Sequence, residues 1–365
     1  MGEHVTDKIK GFDGIRGLAV ISVVLTHLNA WEYLEHHGLK SSFVPMINGS
    51  TGVQWFFVLS GFLITTLLIS EHRATGRVSI RNFIMRRTLR IFPLYILFLF
   101  LATVLHVIGN KVTSWDSLLY AYLYIYNFVP GDIYTSFIGH TWSLAVEEHF
   151  YIIWPSLFLL MFAHNRSRMI LLLCSYIPAS LLLHYALINS LFNANYFVGR
   201  WTFVAGYNIA AGCLAAMLVH NESSASWARP LFRNHFLMIA GILLYANAFY
   251  LHTGSWFVDA IVGQYVRLAG IVLMILWLFL NQESFLAKLL EFPMLRYIGI
   301  ISYGIYMYQG LFLATGPQRD PSQDWPPDQS IGFVLLVIAA PLSYHYFEKP
   351  FLLLKHRFSR KEVQT

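Results

Sequence analysis

Arg16 and His27 stand eleven residues apart on the first apolar segment, which opens Gly11-Phe12-Asp13-Gly14-Ile15-Arg16-Gly17. A helix turns by about 100° per residue, so eleven residues close roughly three turns and both side chains leave one face. Asp13 falls on nearly the same stripe, where it can neutralise Arg16. At about 1.5 Å per residue His27 lies about 16 Å above Arg16, which in a hydrocarbon layer about 30 Å thick places the imidazole near the midplane. Ionisable groups at that depth are costly and mark pathways or reacting centres. A buried, neutral imidazole is suited to take a proton from a hydroxyl near neutral pH, so His27 reads as a general base. The structural alternative is a histidine hydrogen-bonded for packing.

Two further segments carry candidate chemistry. In Arg81-Asn82-Phe83-Ile84-Met85-Arg86-Arg87-Thr88-Leu89-Arg90, Arg86 and Arg90 share a helix face with Phe83. Guanidinium forks suit phosphate oxygens, as a coenzyme A donor would bring, although arginines at this density also anchor topology at anionic headgroups. In His140-Thr141-Trp142-Ser143-Leu144-Ala145-Val146-Glu147-Glu148-His149-Phe150-Tyr151, Thr141 or Ser143 can cap a helix, and Glu147 and Tyr151 face one way. Glu147 could hold or polarise His27, or grip an acceptor's hydroxyls; Trp142, Ser143, Tyr151 and Glu148 are the candidate acceptor contacts. Glu148 and His149 also read as merely interfacial. His140, Glu147 and His149 match no strong metal spacing, and no metal is expected. Phe56 to Ile64 contains Ser60-Gly61, a small pair that reads as packing, and Glu348-Lys349-Pro350 reads as a helix end, with Glu348 available to a loop arginine.

The elements that must position these residues are membrane spans. Of 365 residues 56% are hydrophobic and 12% charged, against about 25% charged in soluble domains. Apolar stretches recur at 14–33, 53–70, 91–109, 143–163, 168–190, 200–219, 235–252, 261–281, 296–315 and 331–348. The Tyr-rich stretch 117–129 is short and suits an interfacial or re-entrant piece. If it does not cross, one side collects the arginines from Arg73 to Arg90, then Arg166, Arg168, Arg229, Arg233, Lys288, Arg296 and the C-terminal Lys355, Arg357, Arg360 and Lys361. The other side keeps little beyond Lys40, Lys111, Arg200 and Arg319. The positive-inside tendency then gives an all-α polytopic bundle of about ten transmembrane helices with both termini cytoplasmic, as one integral-membrane domain over 1–365. The net charge of +6 belongs to this asymmetry and not to nucleic-acid binding. Lys8 and Lys10 before the first apolar run mimic a signal peptide, but no cleavage site follows and the run reads as a retained span. Cys174 and Cys213 form no disulfide framework. Walker A, Gly-x-Ser-x-Gly, His-Glu-x-x-His and dinucleotide glycine patterns are absent from the sequence.

In this order the segments resemble the membrane acyltransferase-3 family, the group containing O-antigen and other surface-polysaccharide O-acetyltransferases. The resemblance rests on Asp13-Gly14-x-Arg16-Gly17 with Arg16-x10-His27, Phe56-Phe57-Val58-Leu59-Ser60-Gly61-Phe62-Leu63-Ile64, Arg86-Arg87-x-x-Arg90-Ile91-x-Pro93, Trp142-Ser143-Leu144-x-x-Glu147 and Glu348-Lys349-Pro350. It implies acyl-CoA as a cytoplasmic donor substrate with no permanently bound cofactor. It implies a cell-envelope glycan such as O-antigen as acceptor, acetyl as the acyl group and a bacterial inner membrane as location. It also implies that Arg16, His27, the arginine cluster and Glu147 belong to the site. Many members carry a fused SGNH hydrolase-like domain that the sequence to Thr365 lacks, implying a unit that works alone or hands its product on. Where members often place an aromatic-histidine pair, this chain has Tyr308-Gln309, and Gln309 cannot act as a base. The sequence does not exclude a covalent acyl-enzyme. The competing reading is a lipid-linked sugar transporter or flippase, which also wants a polar path and a phosphate-reading arginine loop.

Overall fold

A computed structural model describes residues 9–30, 48–109, 113–162, 165–190, 192–220, 222–248, 257–313 and 328–358, together with His36, Ser255 and Trp325. The described residues form an all-α polytopic membrane bundle. Seven helical stretches are long and apolar enough to cross a bilayer: Gly49–Thr75, Ile80–Val107, Ser136–Phe162, Arg166–Ile188, Thr202–His220, Gly263–Leu280 and Gln329–Leu354. Helices Phe12–His27, His235–Asn247 and the broken pair Pro293–Ile300 and Ser302–Leu313 occupy the other three apolar stretches.

The helices that carry and surround the site are numbered along the chain. Helix α1 is Phe12–His27, α2 Gly49–Thr75, α3 Ile80–Val107, α4 the short Trp115–Tyr122, and α5 Thr141–Phe162. Three more elements complete the surroundings: α6 Arg166–Ile188, α7 Tyr207–His220 and α8 Ser302–Leu313. α2 begins on a reciprocal cap, where the Asn48 Oδ1 accepts from Thr51 N at 2.9 Å and Asn48 N donates to the Thr51 hydroxyl at 3.3 Å. α3 starts where Ser79 Oγ accepts from Asn82 N at 3.3 Å. The arginine run and the apolar stretch 91–109 are therefore one continuous helix, with its arginines on the first three turns.

Backbone approach is closest where glycines meet. A Cβ on Gly299 would run into the Asp13 carbonyl, and one on Gly14 into that of Leu290, so α1 packs directly on the segments before α8. Gly61 and Gly212 play the same part between α2 and α7. This draws α1, α2 and α8 around one axis.

The stretch 117–129 holds no helix long enough to cross a bilayer. α4 has eight residues, about 12 Å, and a 3-10 turn at Tyr126–Phe128 follows it. It is re-entrant: Tyr124 stacks on Phe92 and Tyr95 at centroid distances of 5.0 and 4.2 Å, and Tyr95 Oη donates to the Ala121 carbonyl at 2.7 Å. Those partners lie roughly 18–22 Å from the far end of α3. The chain reverses at Tyr124 with φ of 57°, a left-handed conformation costly for a residue with a side chain.

One expectation about depth is corrected. α1 ends at His27, because Leu28 caps it and Asn29 turns left-handed with φ of 49°. Next to His27, the Thr26 hydroxyl accepts from Gly49 N at 2.7 Å, and the His27 carbonyl accepts from Gln329 Nε2 at 3.4 Å. His27 therefore lies level with the first residues of α2 and of the last long helix, at the end of the bundle opposite the arginines, and not at mid-depth.

Candidate active site

Helices α1, α2, α3, α5 and α8 line a central, partly open cavity with about 770 Å³ of space between its walls, solvent at its opening included. Its polar lining is Arg16, Arg87, Arg90, Ser60, Ser143, Glu147, Tyr151, Tyr303 and Tyr306, with Phe56, Phe57, Val53 and Leu63 as apolar wall. At the basic end a second cavity, about 620 Å³, is lined by Asp13, Arg16, Arg90, Tyr303, Tyr344, Glu348 and Lys355. Arg16, Arg90 and Tyr303 line both, so they form the wall that joins the two spaces.

Each side chain is held from the helix that carries it. Arg16 Nη1 donates to Asp13 Oδ1 at 3.2 Å, one turn back on α1, as their spacing predicts. Arg87 lies over the rings of Phe83 and Tyr151 at 5.5 and 5.4 Å, cation–π contacts that turn it inward from α3. On α5, Tyr151 Oη donates to Glu147 Oε2 at 3.2 Å, one turn apart, and lies 2.7 Å from Ser60 Oγ. Ser143 Oγ is 2.7 Å from Tyr306 Oη, and both hydroxyls reach the His140 carbonyl, at 3.1 Å. The central cavity thus sets three guanidinium groups against one carboxylate, Glu147, whose electrostatic neighbours are Arg87, Arg90 and Arg16. Among the described residues neither Arg87 nor Arg90 makes an ion pair. Buried positive charge of this kind is costly until an anion joins it. At the mouth of the basic-end cavity, burial, then Arg90, Arg87 and Arg86, lower the Lys355 ammonium pKa below the ordinary lysine value. Burial is the larger cause, and the neighbouring arginines add to it.

The structure gathers Arg16, Arg87, Arg90, Ser143, Glu147 and Tyr151 on one cavity, with Asp13 on the adjoining one. It does not bring the remaining candidates there. Arg86 is committed elsewhere: Nη2 meets Glu71 Oε2 at 3.2 Å and Nη1 donates to the Phe358 carbonyl at 2.9 Å. Trp142 stands edge-on to Phe57 at 5.9 Å and beneath Arg200 at 5.7 Å, behind the cavity wall. Glu148 turns away, its buried Oε1 without a hydrogen-bond partner. His27 lies one layer outward and does not line the cavity. It falls within the electrostatic surroundings of His140, whose ring packs against Tyr306 at 5.5 Å and whose two ring nitrogens are buried without partners.

Sequence reasoning passed over Tyr303 and Tyr306, read Ser60 as packing and counted Lys355 only as a topology charge. The tyrosines recur at i and i+3 in Ser302-Tyr303-Gly304-Ile305-Tyr306, a hydroxyl-bearing stripe on an otherwise apolar helix, and that spacing was the available signal. Glu348, read as a helix end, faces the basic-end cavity because Tyr344–Glu348 is a π turn, a local widening that recurs at functional sites. Its Oε1 accepts from Ser343 Oγ at 3.1 Å. No group of three His, Cys, Asp or Glu side chains among the described residues is placed to hold a metal ion.

The family model described as an acyltransferase domain, acyltransferase-3, matches residues 9–345. The Bacillus subtilis protein named "Putative peptidoglycan O-acetyltransferase YrhL" is 29% identical over 380 residues, covering 94% of this chain and 54% of its own length. The Listeria monocytogenes "Peptidoglycan O-acetyltransferase OatA" is 28% identical over 373 residues, covering 94% and 55%. The chain thus spans about half the length of the curated relatives it matches. No solved structure matches it.

Proposed function

The chain belongs to the acyltransferase-3 family, and from that premise we propose that it moves an acyl group, acetyl first, from cytoplasmic acyl-CoA to a hydroxyl of an envelope glycan on the opposite face of a bacterial inner membrane. The relatives' names put peptidoglycan ahead of O-antigen as acceptor. The observation that carries the reading is a pair of cavities that share Arg16, Arg90 and Tyr303 and on which Arg16, Arg87, Arg90 and Lys355 outnumber Asp13, Glu147 and Glu348 by one charge. A nucleotide donor brings the missing negative charge, and its pantetheine arm is slender enough to pass an internal constriction. The nucleotide phosphates rest between Lys355, Arg90 and Arg16, and the pantetheine arm runs through the central cavity past Arg87, Ser60 and Tyr151, carrying the thioester toward Ser143 and His27. Tyr151 fixes Glu147 for orienting the acceptor hydroxyl.

His27 takes the acceptor's proton from the outer side as the oxygen attacks the thioester carbonyl, and that proton passes to the departing thiolate as the C–S bond breaks, so coenzyme A leaves as the thiol and the ester forms. Ser143, Tyr306 and His140 form the layer that the acceptor must enter between His27 and the cavity.

The test is acetyl transfer by purified protein from radiolabelled acetyl-CoA to soluble glycan strands. His27→Gln is expected to lose on the order of 10²–10⁴-fold in kcat. Full transfer by that variant, with Glu147→Gln inactive, would pass the base role to Glu147. Transport of glycan across vesicles without covalent change would support the flippase reading instead.

A further inference from the structure

At the end of the bundle opposite the arginine helix lies a third cavity, about 730 Å³, which the proposed reaction does not use. It forms where the chain after α6 folds back on the loop at Gly131. Gly131 N donates to the Asn195 carbonyl at 2.7 Å, and Pro130 bridges Tyr196. Among its lining residues are His184, Asn193, Asn195, Phe197, Gly199 and Arg200, and no Asp or Glu lines it.

Arg200 is presented in an unusual way. Its guanidinium carbon lies 4.3 Å from the Phe197 ring centroid, 4.9 Å from Tyr134 and 5.7 Å from Trp142. Aromatic rings occupy its faces, so its N–H groups point outward in the plane, the direction in which a guanidinium grips an oxyanion. Nη1 is buried and has no hydrogen-bond partner. His184, only 7% exposed, also lines the cavity and has a buried, unpartnered Nδ1. Arg200 Nη1 and His184 Nδ1 are thus two buried polar atoms without partners beside a pocket without carboxylates, an unfavourable arrangement unless a ligand or water meets them.

We propose that this pocket anchors an oxyanion carried on a sugar, a carboxylate or a phosphate, held by Arg200 and His184 with the amides of Asn193 and Asn195 beside them. Trp142 connects the anchor to the reaction. One side of its ring meets Arg200 and another meets Phe57 on the central cavity, and Ser143 follows it in the chain. An anion held at Arg200 therefore lies one aromatic ring away from the wall of the central cavity, on which Ser143 stands. In that sense the inference rests on the transferase reading and gives its acceptor a charge.

The experiment is calorimetric titration of the full chain in detergent with three probes: N-acetylglucosamine 1-phosphate, a tetrasaccharide alternating N-acetylglucosamine with glucuronic acid, and neutral chitotetraose. At least one anionic probe is expected to bind roughly tenfold or more tightly than chitotetraose, and which one does so distinguishes phosphate from carboxylate. Arg200→Gln removes the charge. Gly199→Leu fills the pocket on its His184 side, where a Cβ already stands 3.0 Å from His184 Nε2, and keeps the arginine. Loss of the preference in either folded variant supports the anchor. Equal affinity of wild type for all three probes, no binding of the anionic ones, or an unchanged preference in both variants overturns it. Acetyl transfer is scored separately on the same preparations. If transfer to every acceptor fails while the preference stands, the transferase reading falls and the anchor survives. If transfer proceeds and the preference is absent, only the anchor falls.

Discussion

Two arginines one position apart in sequence have opposite assignments. Arg86 is spent on Glu71 and the Phe358 carbonyl, whereas Arg87 has only aromatic faces and Arg90 faces both cavities. Arg90→Ala is expected to raise the KM for acetyl-CoA about 10–100-fold, the loss of one or two charge-assisted hydrogen bonds at about 1.5–3 kcal/mol each, with kcat changed less. Arg86→Ala is expected to lower thermal stability in detergent and to leave KM within about twofold, since an exposed or half-buried ion pair holds structure and touches no cavity. Steady-state kinetics and melting on the two variants check both; equal KM effects would mean the division is wrong. The sequence identified the cluster but could not divide it. Three arginines on adjacent helical positions look alike until the partner of each is known, and Glu71 and Phe358 come from distant segments. Glu147 and Tyr151 were legible because their link is local, one helical turn. His27 was misjudged in depth for the converse reason. Apolar residues continue past it, so hydropathy extends the span, while the left-handed Asn29 ends the helix there.

At the scale of elements, the apolar stretches located the helices well because burial in lipid demands satisfied backbone over about 20 residues, a constraint written directly into composition. What composition does not encode is how closely helices approach. α1 meets the stretch before α8 backbone to backbone at Gly299, and this contact sets Arg16 against Arg90 and Tyr303 across the shared wall of the two cavities. Gly299→Ala adds one methyl against the Asp13 carbonyl, which backbone cannot yield cheaply. Overpacking of this kind is expected to cost about 1–3 kcal/mol and to displace Arg16 enough to weaken donor binding as well. Gly304→Ala is a milder control, since its nearest neighbour is the Glu348 carboxylate at 3.0 Å, a side chain that can move. Melting temperatures of the two variants, read beside acetyl-CoA affinity, check the expectation; a Gly299→Ala protein as stable as Gly304→Ala would show that the helices are free to part. The re-entrant stretch 117–129 was legible only in length. Its depth depends on Tyr124 stacking on α3, a long-range contact with no local signature.

Considered whole, the molecule sorts its chemistry along one axis. Lys355, Arg90 and Arg16 stand at one end, Glu147 and Tyr151 in the middle, and His27, His140 and the Arg200 pocket at the other. Short antiparallel connections preserve that order. α2 runs toward the arginine end and α3 returns from it, and α5 and α6 repeat the pattern, so Arg77 and Asp132 must lie on opposite faces if α3 crosses and the 117–129 stretch does not. The lysine and arginine asymmetry then puts Arg77 in the cytoplasm, which the proposed reaction requires, because acyl-CoA is made and held there. Both positions are exposed, so each accepts a cysteine without disturbing packing. In a background with Cys174→Ser and Cys213→Ser, Asp132→Cys is expected to react with a membrane-impermeant maleimide on intact spheroplasts. Arg77→Cys should react only after permeabilisation. Labelling of neither on intact cells, and of both after permeabilisation, would mean that the short stretch spans and that the helices after it are inverted. Labelling of Arg77→Cys alone would invert the whole bundle, place the arginine cavity where no coenzyme A is found, and remove the physical basis for a cytoplasmic donor.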